Sequence, residues 1–199
     1  EALKQEPDVK QALSTGIDMI CFSGDKLLGG PQSGIIAGKK KYIEQIKKDP
    51  MMRALRVGKT TLALLEKACS YYLNSPILFK HNILFKTLKR DVKEIKQSAE
   101  QLQIELSNKN IESVIVASKG QYGGGTLPDL KLDSYSVKLI LGKKNSMGKK
   151  IYHQLLSQKP ALLTNLKSGN IYIDLLTLPR KELTLVADLI VQAHKKLTK

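Results

Sequence analysis

The first 75 residues of this 199-residue chain contain too few strand-forming segments to close a β-sheet by themselves. Two short apolar runs, at 17–22 and 34–38, predict strands, and apolar residues recur at helical spacing over 39–48 and 60–73. Two strands with two helices do not form an independently stable sheet. The pattern therefore predicts that this segment belongs to a larger domain whose other strands lie upstream.

Residues 76–199 are expected to form a second, smaller domain, because Asn74-Ser75-Pro76 breaks the preceding helical pattern. A long helical pattern follows over 78–106. Strands predicted at 113–117, 135–141, 161–166 and 170–175 then alternate with helices predicted at 146–157 and 179–197. This order predicts a small α+β domain with an antiparallel sheet and helices on one face. The predicted domains are 1–75 and 76–199.

The composition is that of a globular protein, since 42% of the residues are hydrophobic and can bury a core. The chain has no apolar run of the roughly 20 residues that span a bilayer and no signal-peptide pattern at its start, so we expect a cytoplasmic protein. Cys21 and Cys69 lie far apart in apolar segments, which predicts two reduced core thiols. No histidine or cysteine pair has metal-ligand spacing, and no metal site is predicted.

The charge favours a polyanionic partner such as RNA, because 33 basic residues face 18 acidic ones and the net charge is +15. Residues 1–75 hold 12 basic and 8 acidic residues, whereas 76–199 hold 21 and 10. Most of the excess is therefore C-terminal. No motif that reads a nucleic-acid sequence accompanies it, and no DNA partner is predicted. A second interpretation stays open, in which the lysines only solvate helix faces.

The segment 22–34, with the sequence Phe-Ser-Gly-Asp-Lys-Leu-Leu-Gly-Gly-Pro-Gln-Ser-Gly, carries the strongest chemical signal. Lys26 lies where a predicted strand ends, Asp25 precedes it, and a glycine-dense turn follows. A lysine that loses its solvent shell in such a place becomes a nucleophile toward an aldehyde cofactor, and glycine N–H groups are suited to hold a phosphate. The alternative is a surface lysine in a turn.

This segment resembles the cofactor-lysine segment of bacterial L-seryl-tRNA(Sec) selenium transferases, also called selenocysteine synthases, which use pyridoxal 5'-phosphate (PLP). The likeness is strong up to about Leu73 and thinner beyond it. It continues through Gly34-Ile35-Ile36, Gly38-Lys39-Lys40, Arg53-Ala54-Leu55-Arg56, Lys59, Thr61-Leu62-Ala63 and Leu65-Glu66, then Gly123-Gly124-Gly125-Thr126-Leu127-Pro128, Asp174-Leu175 and Thr177-Leu178.

The resemblance implies the C-terminal part of a fold-type I PLP enzyme, in which a large α/β domain holds the cofactor and a small C-terminal domain follows. It implies that Lys26 forms the internal aldimine, is displaced by the amino group of seryl-tRNA(Sec), and then takes the Cα proton. Loss of hydroxide gives an aminoacrylyl intermediate, to which selenium from selenophosphate adds. The product is selenocysteinyl-tRNA(Sec). Enzymes of this fold usually form homo-oligomers.

The same resemblance assigns roles to further residues. Asp25 orients or tunes Lys26, while Arg53 and Arg56 bind an anion such as selenophosphate or a tRNA phosphate. Two roles stay open for Gly29, Gly30 and Gln32. They either contact the cofactor phosphate or only shape the turn. Gly123 to Gly125 are expected to be structural.

The chain departs from the family at its start, because only 25 residues precede Lys26. In the family, the upstream section supplies the aspartate for the cofactor ring nitrogen, much of the pocket and a tRNA-binding domain. We therefore expect a truncated chain that has no transferase activity alone. Two alternatives stay open: a related PLP enzyme that acts on a small amino acid, and a non-catalytic module for RNA binding or oligomerisation.

Overall fold

A computed structural model of the chain describes residues 8–121, 130–141 and 145–198. The described residues fall into two compact units, which divide between Lys89 and Arg90. The domain boundary predicted from the sequence lies after residue 75. The first unit extends further because the helices that follow residue 74 pack on the preceding helix of the same unit. The identity of the units as cofactor and small domains stays a prediction.

The first unit begins with helix α1, Val9–Ser14, followed by an antiparallel pair of strands, β1 at Met19–Ser23 and β2 at Gly34–Gly38. The register places Met19 opposite Gly38. At this end of the pair Lys39 donates from its Nζ to Oδ1 of Asp18 at 2.6 Å. Both strands predicted in this part of the chain are therefore confirmed, and β1 begins two residues later than expected.

After β2, further helices follow in the first unit. They are α2 at Lys40–Lys48, α3 at Met51–Leu55, α4 at Lys59–Tyr72, α5 at Ser75–His81 and α6 at Ile83–Leu88. The single helix predicted over 78–106 is wrong, because α5, α6 and α7 (Val92–Ser107) occupy this region. Asn82 caps α6, accepting a hydrogen bond from the N–H of Leu84, and Asp91 caps α7 in the same way. These caps end and start separate helices, although the apolar residues keep their helical spacing across 78–106.

The first unit buries few apolar side chains. Among its described residues the buried hydrophobic ones are Ala68, Leu78 and Phe85. Both cysteines, Cys21 and Cys69, are free and exposed, so the prediction of core thiols is wrong. The apolar neighbours of these cysteines in the sequence suggested burial. Cys21 lies in a two-stranded sheet, which has no further strands to build a core on, and Cys69 lies on an exposed face of α4 next to the buried Ala68.

The second unit is a four-stranded antiparallel sheet with three long helices. Its elements are α7, β3 at Ser113–Gln121, β4 at Lys131–Leu139, α8 at Asn145–Leu156, β5 at Asn165–Lys167, β6 at Asn170–Asp174, a 3₁₀ turn at Arg180–Glu182 and α9 at Leu183–Thr198. The strands are arranged in the order β3-β4-β6-β5. The predicted antiparallel sheet is confirmed, although β5 is shorter than the strand expected over 161–166.

The core of the second unit lies between the sheet and its helices. Helices α7 and α8 pack on the sheet, and α9 packs on both of them. Alternation along β4 buries Val137 and Leu139 completely. Their fully buried partners include Leu102 and Leu106 of α7, Leu155 of α8, and Ile171 and Ile173 of β6. This two-layer arrangement supplies the buried apolar area that the first unit lacks.

Arg90 secures the segment that connects β6 to α9. Its Nη1 donates to the carbonyl oxygens of Leu175 and Leu176, both at 2.6 Å, and of Leu178 at 3.1 Å. Burial lowers the pKa of this guanidinium from its ordinary value, although the group stays protonated. One charged side chain thus donates to three carbonyls of this connecting segment. None of the described helices has the length and apolar character needed to cross a membrane.

Helix α7 carries one buried and one exposed isoleucine, and substitution of each tests which face of the helix forms the core. Ile95 is 1% exposed and Ile104 is 61% exposed. We expect Ile95→Ala to lower the free energy of unfolding by about 2–5 kcal/mol, because it leaves a cavity between helix and sheet. The matched change Ile104→Ala is expected to alter it by less than about 0.5 kcal/mol. Urea unfolding of both variants measures the difference, and equal losses would contradict the assignment of the core.

Candidate active site

Residues 24–33 connect β1 to β2 and carry Lys26; we call them the lysine loop. The N–H of Gly24 donates to the carbonyl of Ser33 at 2.9 Å and extends the strand pairing by one step. The N–H of Gly30 donates to the carbonyl of Gly24 at 2.8 Å, so the loop folds back on its own start. A Cβ at Gly24 would clash with Oγ of Ser33 and come within 2.9 Å of Cδ2 of Leu65 in α4, so a larger residue here would displace both side chains.

Two side chains from the helices of the first unit hold the next part of the loop. The hydroxyl of Tyr72, at the end of α4, donates to the carbonyl of Leu27 at 2.7 Å. Nδ2 of Asn82 donates to the carbonyls of Leu27 at 3.3 Å and Leu28 at 3.4 Å. No sequence motif had indicated either residue. The position of Asn82 within a helical pattern is the one local signal, because asparagine is a common helix cap.

Lys26 and Asp25 lie side by side in this turn, and both are exposed. Neither side chain makes a hydrogen bond or an ion pair with another described residue, and no ion pair joins the two. The amine of Lys26 is therefore available to a ligand, on a backbone that neighbouring hydrogen bonds hold in place. The role of Asp25 toward Lys26 stays a prediction.

The two glycines after Lys26 use their N–H groups inside the loop. Gly29 donates to the carbonyl of Lys26 at 3.0 Å, and Gly30 donates as described above. Gly29 also has a φ of +73°, which an L side chain rarely adopts. This geometry favours the turn-shaping role for both glycines. Gln32 is exposed, and contact of these three residues with a phosphate stays a prediction.

Arg53 and Arg56 lie at the end of α3. Arg53 is in its last turn, and Arg56 follows the helix with an extended backbone. Both are exposed, and neither guanidinium is paired with another described residue. Helix α3 packs on α2, and no hydrogen bond among the described residues joins it to the lysine loop. A shared site with Lys26 stays a prediction. Two unpaired guanidinium groups are suited to an anion.

A separate polar cluster lies on the sheet of the second unit. The hydroxyls of Ser118, Ser134 and Ser136 donate to the carboxylate of Asp174 at 2.9, 2.9 and 3.1 Å. The N–H of Leu176 also donates to it, at 2.8 Å. Asp174 therefore ties three strands together, which gives a structural reason for the family likeness around it. The glycines at 123–125 lie outside the described residues.

The anchoring role of Tyr72 predicts a late phenol ionisation. Burial and, to a smaller extent, the charge of Cys69 raise the pKa of Tyr72 to about 12. The phenol of a tyrosine in an unfolded chain has a pKa of about 10. The contribution of Tyr72 to the free energy of unfolding is therefore fully present below that pH and is lost as the pH rises through about 12. In a near-ultraviolet absorbance titration, Tyr72→Phe should remove the last component, whereas Tyr71→Phe should leave it in place. A late component that persists in Tyr72→Phe would contradict the assignment.

A comparison with solved structures supports the predicted fold class. The solved structure of D-glucosaminate-6-phosphate ammonia-lyase aligns with a TM-score of 0.56 over 94% of this chain and 46% of that chain. The sequences are 19% identical, so the likeness concerns the fold alone. It confirms the predicted mixed α/β class with antiparallel sheets.

The sequence comparisons identify the family. The L-seryl-tRNA selenium transferase from Clostridium perfringens is 39% identical over 178 residues, which are 88% of this chain and 38% of that protein. Its counterpart from Alkaliphilus oremlandii is 34% identical over 98% of this chain and 41% of that protein, so the chain spans about two fifths of these relatives. The profile of the L-seryl-tRNA selenium transferase family matches residues 1–179. The chain therefore belongs to the L-seryl-tRNA selenium transferase family.

Proposed function

We propose that this chain is the part of a selenium transferase that carries the PLP lysine, Lys26. The reaction is the conversion of seryl-tRNA(Sec) to selenocysteinyl-tRNA(Sec) with selenophosphate as the selenium donor. The observation that carries the proposal is the family match over residues 1–179 together with an unpaired, exposed Lys26 on a restrained loop. We further propose that these residues alone have no transferase activity.

The first unit supplies the amine that would bind the aldehyde of PLP. The amine of Lys26 has no partner among the described residues, so no ion pair must break before it reacts with an aldehyde. When bound, PLP supplies an electron sink for the carbanion that forms at the substrate Cα. Lys26 both holds the cofactor and, once released, takes and returns the proton at Cα.

The arginines supply the anion site in this proposal. Arg53 and Arg56 are unpaired among the described residues, and each presents a planar fork of donors that matches the oxygens of a phosphate or selenophosphate. Asp25 orients Lys26. Gly29, Gly30 and Gln32 complete the turn next to the cofactor phosphate. Assembly into a homo-oligomer and a location in the cytoplasm belong to the same proposal.

The distribution of charge supports tRNA as the partner. Residues 76–199 contain 21 basic and 10 acidic residues, and lysine pairs such as Lys195-Lys196 in the last turn of α9 are exposed. Lysines on a well-packed scaffold bind a phosphate backbone through charge and without reading the sequence.

The role of Lys26 predicts selective labelling by PLP. We expect borohydride reduction of the chain with sub-saturating PLP, followed by peptide mapping, to place the adduct on Lys26 in preference to the exposed Lys59. Lys26→Arg should abolish that adduct and leave the Lys59 signal unchanged. Uniform labelling of surface lysines would contradict the proposed role of Lys26 in this chain.

The partner proposal predicts salt-dependent tRNA binding that does not require Lys26. We expect fluorescence anisotropy to show affinity at low salt that survives Lys26→Ala. Replacing both Lys195 and Lys196 with glutamate should reduce the slope of log K against log salt by roughly 1 to 2, because two phosphate contacts are lost. The matched double change of Lys47 and Lys48, an exposed pair in α2, should have a smaller effect. Absence of affinity at low salt would contradict tRNA binding by this chain.

A further inference from the structure

The side chain of Asn82 has two sets of partners in the first unit. Its Oδ1 accepts hydrogen bonds from the N–H groups of Leu84 at 3.0 Å and Phe85 at 3.4 Å, at the start of α6. Its Nδ2 donates to the carbonyls of Leu27 and Leu28, which directly follow Lys26. Asn82 is 6% exposed, so water does not readily replace these bonds. One amide thus joins a helix start to the lysine loop.

The chemistry of this position requires an amide. A carboxylate of the same shape accepts hydrogen bonds but donates none, and it would face two carbonyl oxygens without a proton to offer. A methyl group would neither cap the helix nor reach the loop. Asparagine is therefore the side chain of this size that satisfies both sets of partners.

Two further contacts restrict the loop at the same point. The carbonyl of Leu27 also accepts the hydroxyl of Tyr72, whose ring packs edge-on against Phe85 with centroids 5.7 Å apart. A Cβ on Gly29 would lie 2.5 Å from Nδ2 of Asn82, so the loop backbone is packed directly on this amide. The peptide group between Leu27 and Leu28 is therefore held by two side chains that are distant in sequence.

We propose that Asn82, assisted by Tyr72, is the positioning residue that fixes the backbone after Lys26 and so sets the direction of the Lys26 amine. The proposal rests on the proposed function in one respect, which is that Lys26 reacts with PLP. Fixing the carbonyls of Leu27 and Leu28 removes rotation about the backbone that carries the amine. A nucleophile held in one geometry reacts more often than one that samples many.

The variant Asn82→Asp separates the two functions of this side chain, because it keeps the helix-capping oxygen and removes the donor to the loop. Asn74→Asp controls for the same change at a helix cap, since the exposed Asn74 caps α5 through its Oδ1 and makes no hydrogen bond to the loop. Tyr72→Phe is a milder second variant that keeps the ring and removes one hydrogen bond. Circular dichroism of each variant checks that the helices remain.

Amide hydrogen exchange of Gly29 and Gly30 decides the proposal, because both N–H groups donate within the loop. We expect Asn82→Asp to speed their exchange roughly tenfold and Tyr72→Phe to speed it less, with no change in Asn74→Asp. The Lys26-to-Lys59 labelling ratio with PLP should fall by about tenfold in Asn82→Asp as well.

The two readouts distinguish failure of this proposal from failure of the proposed function. Unchanged exchange in both Asn82→Asp and Tyr72→Phe overturns the positioning role, whatever the labelling shows. Faster exchange with an unchanged labelling ratio also overturns it, because the loop would then be restrained without directing the amine. Absence of Lys26 labelling in the unaltered chain overturns the proposed function, and the exchange rates still decide whether Asn82 and Tyr72 hold the loop.

Discussion

The carbonyl of Leu27 is the point on which the candidate active site depends. It accepts hydrogen bonds from Tyr72 and from Asn82, and these two bonds attach the lysine loop to the helical part of the first unit. The strands on either side of the loop form only a two-stranded sheet, which is marginal by itself. The geometry around Lys26 therefore derives from helix packing more than from the strand pair that carries it.

The two units obtain their structure in different ways. The second unit has a continuous apolar core between a four-stranded sheet and three helices, reinforced by Arg90 at the end of β6 and by Asp174 across three strands. The first unit has few buried apolar side chains among its described residues and relies on turns, caps and polar anchors. A site whose backbone is fixed by individual hydrogen bonds is sensitive to single substitutions, because no surrounding core compensates for a lost bond.

The sequence predicted those features that repeat or that carry a local motif. The periods of β1, β2, α8 and α9 located these elements, and the likeness of the Lys26 segment identified the family correctly. The prediction from sequence failed over 78–106, where apolar residues keep their helical spacing across the ends of successive helices. Asn82 lies between α5 and α6 and Asp91 precedes α7, and neither changes the apolar pattern. It also failed for Cys21 and Cys69, since burial depends on layers that neighbouring residues do not reveal.

The sequence by itself determined the family, the identity of the candidate nucleophile and the antiparallel character of the second unit. A motif and the spacing of apolar residues are local properties, because each depends on residues that are close together in the sequence. Only the tertiary structure decided what restrains the loop after Lys26, because Tyr72 and Asn82 are 45 and 55 residues from the carbonyl they bind. No period or local propensity specifies a hydrogen bond over such a separation. It forms only when the helices have packed and brought both donors to the loop.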